Sequence, residues 1–156
     1  WTRKQLSILD RKYLRTLPLI VDVENFTLVH SSLSSPNRWN YILKRNAAEA
    51  HFLNQFNNVC FFGHTHIPLA FVKGDTEIEK GFYDTLKIRE GYQYLINVGS
   101  VGQPRDRNPK AAYVIYDLDA QTVTMRRVEY DMPTTEKKIR AAGLPFRNAL
   151  RLERGR

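Results

Sequence analysis

Val59-Cys60-Phe61-Phe62 is an unbroken run of four apolar residues that follows a helical pattern and is closed at once by Gly63. That run limits the fold more than any other feature of the chain. A strand with one face in water alternates apolar and polar residues, whereas a short continuous apolar run fits a strand covered on both sides. Covering both faces takes helices or a second sheet, so the chain reads as α/β. The helix that feeds the run can be capped by Asn46 and extends over residues 47 to about 57, with Ala50, Leu53 and Phe56 on one face.

The rest of the chain supplies further elements. Thr2 can cap a first helix in which Leu6, Leu9, Tyr13, Leu14 and Leu17 recur at helical spacing before Pro18 stops it. Residues 19–23 and 26–30 predict a hairpin about Glu24-Asn25, and residues 31–37 read as loop. A strand resumes over 69–72 after Pro68, and segments 82–88 and 92–97 read as antiparallel strands between turns at Gly81 and Gly91. Segments 111–116 and 122–130 predict a second hairpin. Pro133 opens a final helix through residue 142, which Gly143 can terminate. With 42% hydrophobic and 12% aromatic residues, 156 residues can fill the core of one domain, which excludes a disordered tail. The single cysteine, Cys60, excludes an internal disulfide and a four-cysteine zinc site, and points to a reducing, cytoplasmic setting. No apolar run approaches the ~18 residues of a membrane span, so no membrane partner is expected.

Three of the four histidines, His30, His64 and His66, fall where an apolar strand gives way to a loop. Ligands of α/β sheets gather beyond the carboxyl ends of strands, so side chains from different strands can meet there. Gly63 lets the backbone turn sharply before His64 and His66, which can then aim both imidazoles at one volume. Neutral imidazole is the commonest side-chain metal ligand near pH 7, although each of these residues also fits an ordinary polar loop position. His51, mid-helix between Ala50 and Phe52, reads as structural. The loop over 97–105 holds Gly99, Ser100, Gly102 and Arg105. Its backbone N–H groups and guanidinium fork suit an anionic oxygen ligand, and its composition equally suits a plain loop.

Val29-His30-Ser31-Ser32, Phe61-Phe62-Gly63-His64-Thr65-His66 and Asn97-Val98-Gly99-Ser100-Val101-Gly102-Gln103-Pro104-Arg105 occur in this order. In order and spacing the chain resembles the C-terminal part of calcineurin-like metallophosphoesterases, above all the small prokaryotic phosphodiesterase-type branch. The tail over 130–145 resembles the closing helix of that branch. The resemblance implies an α/β fold in which a two-sheet β-sandwich is flanked by helices, a four-layer α/β/β/α arrangement. It implies a dinuclear centre of two divalent metal ions, Mn first, with Fe, Ni, Co or Zn as the other candidates. The implied reaction is hydrolysis of phosphate mono- or diesters by a metal-bound hydroxide. His30 and His64 would ligate one metal and His66 the other, with Asn97 and Arg105 binding the substrate phosphate at the border of the site. Ser31 stands where relatives usually have glycine, and Val98 where they often have proline.

The upstream Asp-x-His, Gly-Asp and Gly-Asn-His-Asp/Glu elements of the family do not occur ahead of His30 in this sequence; its one Gly-Asp, Gly74-Asp75, lies after the histidines. Two divalent cations roughly 3.5–4 Å apart need an anionic bridging ligand, and three neutral imidazoles do not supply one. The expectation is therefore one metallophosphoesterase-like domain over residues 1–156, N-terminally truncated. Its missing N-terminal segment would be the partner that brings the remaining ligands and the catalytic acid, the 156 residues alone being inactive. A homo-oligomer is left open.

Two other classes compete with this reading: a non-catalytic scaffold of the same fold, and a basic nucleic-acid-binding module. The formal net charge of +8 suggests the second. The excess, however, sits at the ends: residues 1–17 carry five basic and one acidic side chain, residues 126–156 nine and four. The intervening segment, which holds the histidines, carries ten and eleven. No helix interleaves Lys or Arg with aromatics in a recognisable motif, so a phosphate-ester substrate is expected and nucleic acid is not the main partner.

Overall fold

The computed structural model describes residues 1–156 and contains two sheets with helices beside them. The chain opens with two helices, α1 (Thr2–Gln5) and α2 (Ile8–Thr16). One continuous helix was the expectation. It breaks because Ser7 is an N-cap: its side chain accepts from the Asp10 N–H while the Asp10 carboxylate accepts from the Ser7 N–H, a capping box that starts a new helix. Strands β1 (Ile20–Val23) and β2 (Phe26–Val29) form the predicted antiparallel hairpin. A single 3-10 turn, Pro36–Arg38, lies in the loop before α3 (Arg45–Phe52).

Strand β3 (Val59–Phe62) is buried at all four positions, and its neighbours show why. It lies mid-sheet in the order β1-β2-β3-β7-β4-β5, where β4 is Ala70–Lys73, β5 is Ile78–Gly81 and β7 is Gln93–Asn97. Cys60 and Phe62 point to one side, where Phe71 and Leu95 join Ala48 and Phe52 of α3. Val59 and Phe61 point to the other, meeting Tyr94, Ile96, Tyr83 and Val123. That second core joins the large sheet to a three-stranded sheet of order β6-β9-β8, made of β6 (Thr85–Lys87), β8 (Ala111–Asp117) and β9 (Thr122–Val128). The expected α/β fold with two packed sheets and flanking helices is thus present.

Three further expectations change. The strands of the 76–97 segment do pair antiparallel, β5 and β7 with β4 and β6 with β9, but not with one another: β6 belongs to the small sheet, and β7 also pairs parallel with β3. Helix α3 starts after Lys44 and ends at Phe52, and it buries Ala48, His51 and Phe52. Leu53 and Phe56 are 85% and 96% exposed, because the helix stops short of Phe56 and Gln55 turns inward instead. The Gln55 amide donates to the carbonyls of Asn57, Asn58 and Tyr94, anchoring the entry to β3. Finally, α4 (Met132–Ala141), opened by Pro133 and followed by Gly143 at φ 67°, is not the last helix; α5 (Phe146–Arg154) follows and packs on it. No helix is long and apolar enough to cross a membrane.

Candidate metal and phosphate site

Strands β2, β3 and β7 are mutually parallel, so their carboxyl ends share one edge of the sheet. His30 follows β2, Gly63-His64-Thr65-His66 follows β3, and Asn97 ends β7. Backbone bonds lock these ends together: Gly63 N–H donates to the His30 carbonyl at 3.0 Å and Val98 N–H to the Phe62 carbonyl at 3.0 Å. The rings of His30 and His64 lie 5.2 Å apart, edge to face.

His64 and His66 both hold left-handed backbone, at φ 62° and 61°. Non-glycine residues avoid that region, and when two are held there two positions apart the surroundings must impose it. The imposing group is Asn97, which is fully buried. Its Nδ2 donates to the Gly63 carbonyl at 2.7 Å and to Thr65 Oγ1 at 2.9 Å, and its Oδ1 accepts from Gly99 N–H at 2.9 Å. Both amide hydrogens are therefore spent inside the protein, and none is left for a phosphate oxygen. Gly99 itself requires glycine: φ is 77°, and a Cβ would stand 2.7 Å from that of Ala112.

The imidazoles are set for use as ligands. His64 Nε2 lies 2.7 Å from the Trp39 carbonyl and His66 Nδ1 lies 2.8 Å from the Gln103 carbonyl. A carbonyl only accepts, so each of these nitrogens carries the hydrogen and the opposite nitrogen keeps its lone pair. A backbone carbonyl behind the ring is the usual support of a metal-binding histidine. Burial, with the neighbouring His64 and His66 adding to it, holds His30 below its ordinary value. Burial also lowers His66, against the Gln103 hydrogen bond and together with Arg105 and His64. Both rings are thereby biased toward the neutral form that binds metals. No three His, Cys, Asp or Glu side chains converge to hold an ion by themselves. The donor set fits part of a metal site, neutral nitrogens without a carboxylate.

Arg105 sits at the rim. Its backbone N–H donates to the His66 carbonyl at 3.0 Å. Its guanidinium rests on Gln103 Oε1 at 2.9 and 3.1 Å and on the Tyr41 hydroxyl at 3.4 Å. None of these partners is charged. Ser31 is buried and donates to the Asn40 carbonyl at 2.5 Å, so its side chain turns away from the histidines and tethers the loop that covers them.

Two contributors escaped the sequence reading. Trp39, itself left-handed at φ 55°, places its ring 5.3 Å from that of His30, and Tyr41 stacks 4.6 Å from that of His64. The signal available for them was two aromatics close together in a polar loop. Beside the histidines an open apolar groove of about 680 Å³ runs along α2, β1 and β2, lined by Leu14, Leu17, Leu19, Val21 and Leu28 and ending at His30, Trp39 and Gly63.

A two-sheet α/β core with histidines on adjoining parallel strand ends defines a metallophosphoesterase-like protein. The calcineurin-like phosphoesterase superfamily domain matches residues 5–121, and the chain belongs to that superfamily. It is 33% identical over 151 residues to the uncharacterized protein MJ0912 of Methanocaldococcus jannaschii, covering 93% of this chain and 59% of that protein. The crystal structure of a metallophosphoesterase from Sphaerobacter thermophilus superposes with a TM-score of 0.91 at 36% identity, covering all of this chain and 66% of that one. The hypothetical protein PH1004 from Pyrococcus horikoshii OT3, 23% identical with a TM-score of 0.72 over 99% of this chain and 57% of its own, shares the fold. The chain spans about three fifths to two thirds of the length of these relatives.

Proposed function

We propose that this chain carries the histidine half of a divalent-metal phosphoesterase centre that hydrolyses phosphate mono- or diesters. The observation that carries the reading is the pair His64 and His66, held in left-handed backbone with one ring nitrogen of each fixed on a backbone carbonyl and the other free. Such positions persist only where the fold over-determines them, and they cluster at functional sites.

His30 and His64 are the ligands assigned to one ion and His66 to the other. When bound, two such ions, with Mn the first candidate, polarise phosphoryl oxygens and lower the pKa of water. Asn97 is a positioning residue, which fixes the His64-His66 turn against the Gly99 loop. Arg105 is the phosphate-binding residue, because two of its five N–H groups remain unused by Gln103 and Tyr41. The carboxylates that such a pair of ions requires come from polypeptide outside these 156 residues, and the apolar groove over α2 and β1 is the surface that this polypeptide covers. Two observations support that occupant: the chain covers only 59% and 66% of the length of two relatives, and β1 is a sheet edge exposed at all four positions.

The test is hydrolysis of bis-p-nitrophenyl phosphate by the full-length gene product loaded with Mn. His64→Ala is expected to abolish it. Undiminished turnover in that variant would remove the metal assignment.

A further inference from the structure

Away from the histidines, α5 ends in a concentration of arginines that the proposed chemistry does not use. Arg107, Arg154 and Arg156, all exposed, alone line an open surface cavity of about 330 Å³. An adjoining one of about 220 Å³ is lined by Arg147, Leu150, Arg151, Arg154 and Arg156. No acidic side chain lines either. The ion pairs of the structure are Lys110 with Glu129 and Arg127 with Asp106, so none of these five guanidiniums has a carboxylate partner. Asp106, the carboxylate next to Arg107 in the chain, is turned away onto Arg127.

The crowding is built by the backbone. Arg107 N–H donates to the Gly155 carbonyl at 2.8 Å, which docks the end of α5 on the 105–108 loop. Gly155 adopts φ 58°, and a Cβ there would stand 2.7 Å from the Asn108 nitrogen, so only glycine allows the approach. Arg156 N–H returns to the Arg151 carbonyl at 3.1 Å, closing the helix end through its own backbone. The arginine side chains are thus not needed to cap the helix, and they converge unpaired.

We infer that Arg107, Arg151, Arg154 and Arg156 form an anion site for a compact multi-phosphate ligand. Guanidinium forks match phosphate oxygens in a bidentate manner, and several phosphates on one small molecule engage several forks at once. A single-stranded nucleic acid fits less well, because no aromatic side chain lines either cavity to stack a base.

Binding of inorganic tripolyphosphate and of orthophosphate to the full-length protein, measured by calorimetry in EDTA, tests the subsite without any turnover. Tripolyphosphate is expected to bind at least about tenfold more tightly than orthophosphate, and the exposed double variant Arg154→Gln/Arg156→Gln to lose about that factor. Arg107→Gln alone, on the opposite wall, is expected to weaken tripolyphosphate in the same direction. Wild-type affinity in both variants would overturn the subsite, as would a single-stranded oligonucleotide binding more tightly than tripolyphosphate. Because EDTA removes any metal, this result is independent of the His64→Ala hydrolysis assay, and either proposal can fail alone.

Discussion

Lowering the pH should destabilise this protein through one residue, His51, which lies outside the candidate site. Its side chain is fully buried on α3. Nδ1 accepts from Leu33 N–H at 3.2 Å, and Nε2 has no partner. Adding a proton to Nδ1 would set two donors against each other in a dry environment. Burial accordingly lowers its pKa from the ordinary 6.5 to about 4, only partly offset by Gln55. Between those two values the unfolded chain binds a proton that the folded chain refuses, so stability falls as pH falls through the window from about 6.5 to about 4. The loss attributable to His51 is about 2 kcal/mol between pH 7.5 and pH 5 and about 3 kcal/mol below pH 4. Urea unfolding of wild type and His51→Asn at both pH values isolates it, because the amide oxygen of the substituted side chain still offers Leu33 N–H an acceptor and does not titrate. The variant is expected to start less stable at pH 7.5, from lost packing, and to lose about 2 kcal/mol less than wild type on going to pH 5. Other titrating groups, His30 and His66 among them, act in both proteins and cancel in the comparison. Parallel pH profiles for the two proteins would refute the reasoning.

Other perturbations have equally direct readouts. Asn97→Ala strands Gly99 N–H in the interior and takes one of two donors from the Gly63 carbonyl, which keeps Thr65 N–H, and equilibrium unfolding should show a loss of about 1–3 kcal/mol. Phe71→Ala, at a side chain with no exposure between α3 and the large sheet, should cost about 3–5 kcal/mol by the same measurement. Gly155→Ala forces a left-handed alanine into the Asn108 backbone, so amide exchange in the last turn of α5 should accelerate by about tenfold or more while β3 amides stay protected.

What could be read from the sequence was whatever a side chain announces where it stands. Strand β3 was legible because burial on both faces leaves no polar position in it, and the two cores on its two sides account for each residue. The histidines were legible because strand ends are where a sheet changes from packing to function, and the parallel pairing of β2, β3 and β7 then does the gathering. The face of α3 was not, because the spacing of Ala50, Leu53 and Phe56 assumes a helix that continues, and the chain leaves it at Leu53. Trp39 acts on His64 through a carbonyl that every residue possesses, so no side-chain pattern marks it. Asn97 was singled out for its position in a loop motif, yet its work is in two bonds to a neighbouring turn, which only the pairing of β7 with β3 brings within reach, and one to Gly99 of its own loop.

That division bears on how the site is held before any ligand arrives. Left-handed backbone at two non-glycine residues costs about 1–2 kcal/mol each, and a free loop would relax it. Here relaxation would break the Asn97 bonds to Gly63 and Thr65, both in the turn itself, and would expose polar groups that the packed ends of β3 and β7 keep dry. Unmade buried hydrogen bonds cost about 1–3 kcal/mol apiece, so two of them are of the same size as the strain and offset it. The Trp39 and Gln103 carbonyls add a further restraint on the rings themselves. The orientation of His64 and His66 therefore follows from the folding of the parallel strands, and a ligand meeting these rings need not order them. The same argument assigns Gly99 its place: with φ at 77° and Ala112 against it, it lets the loop come close enough for its N–H to complete the Asn97 amide, so the strain at the histidines and the glycine after β7 are two parts of one constraint.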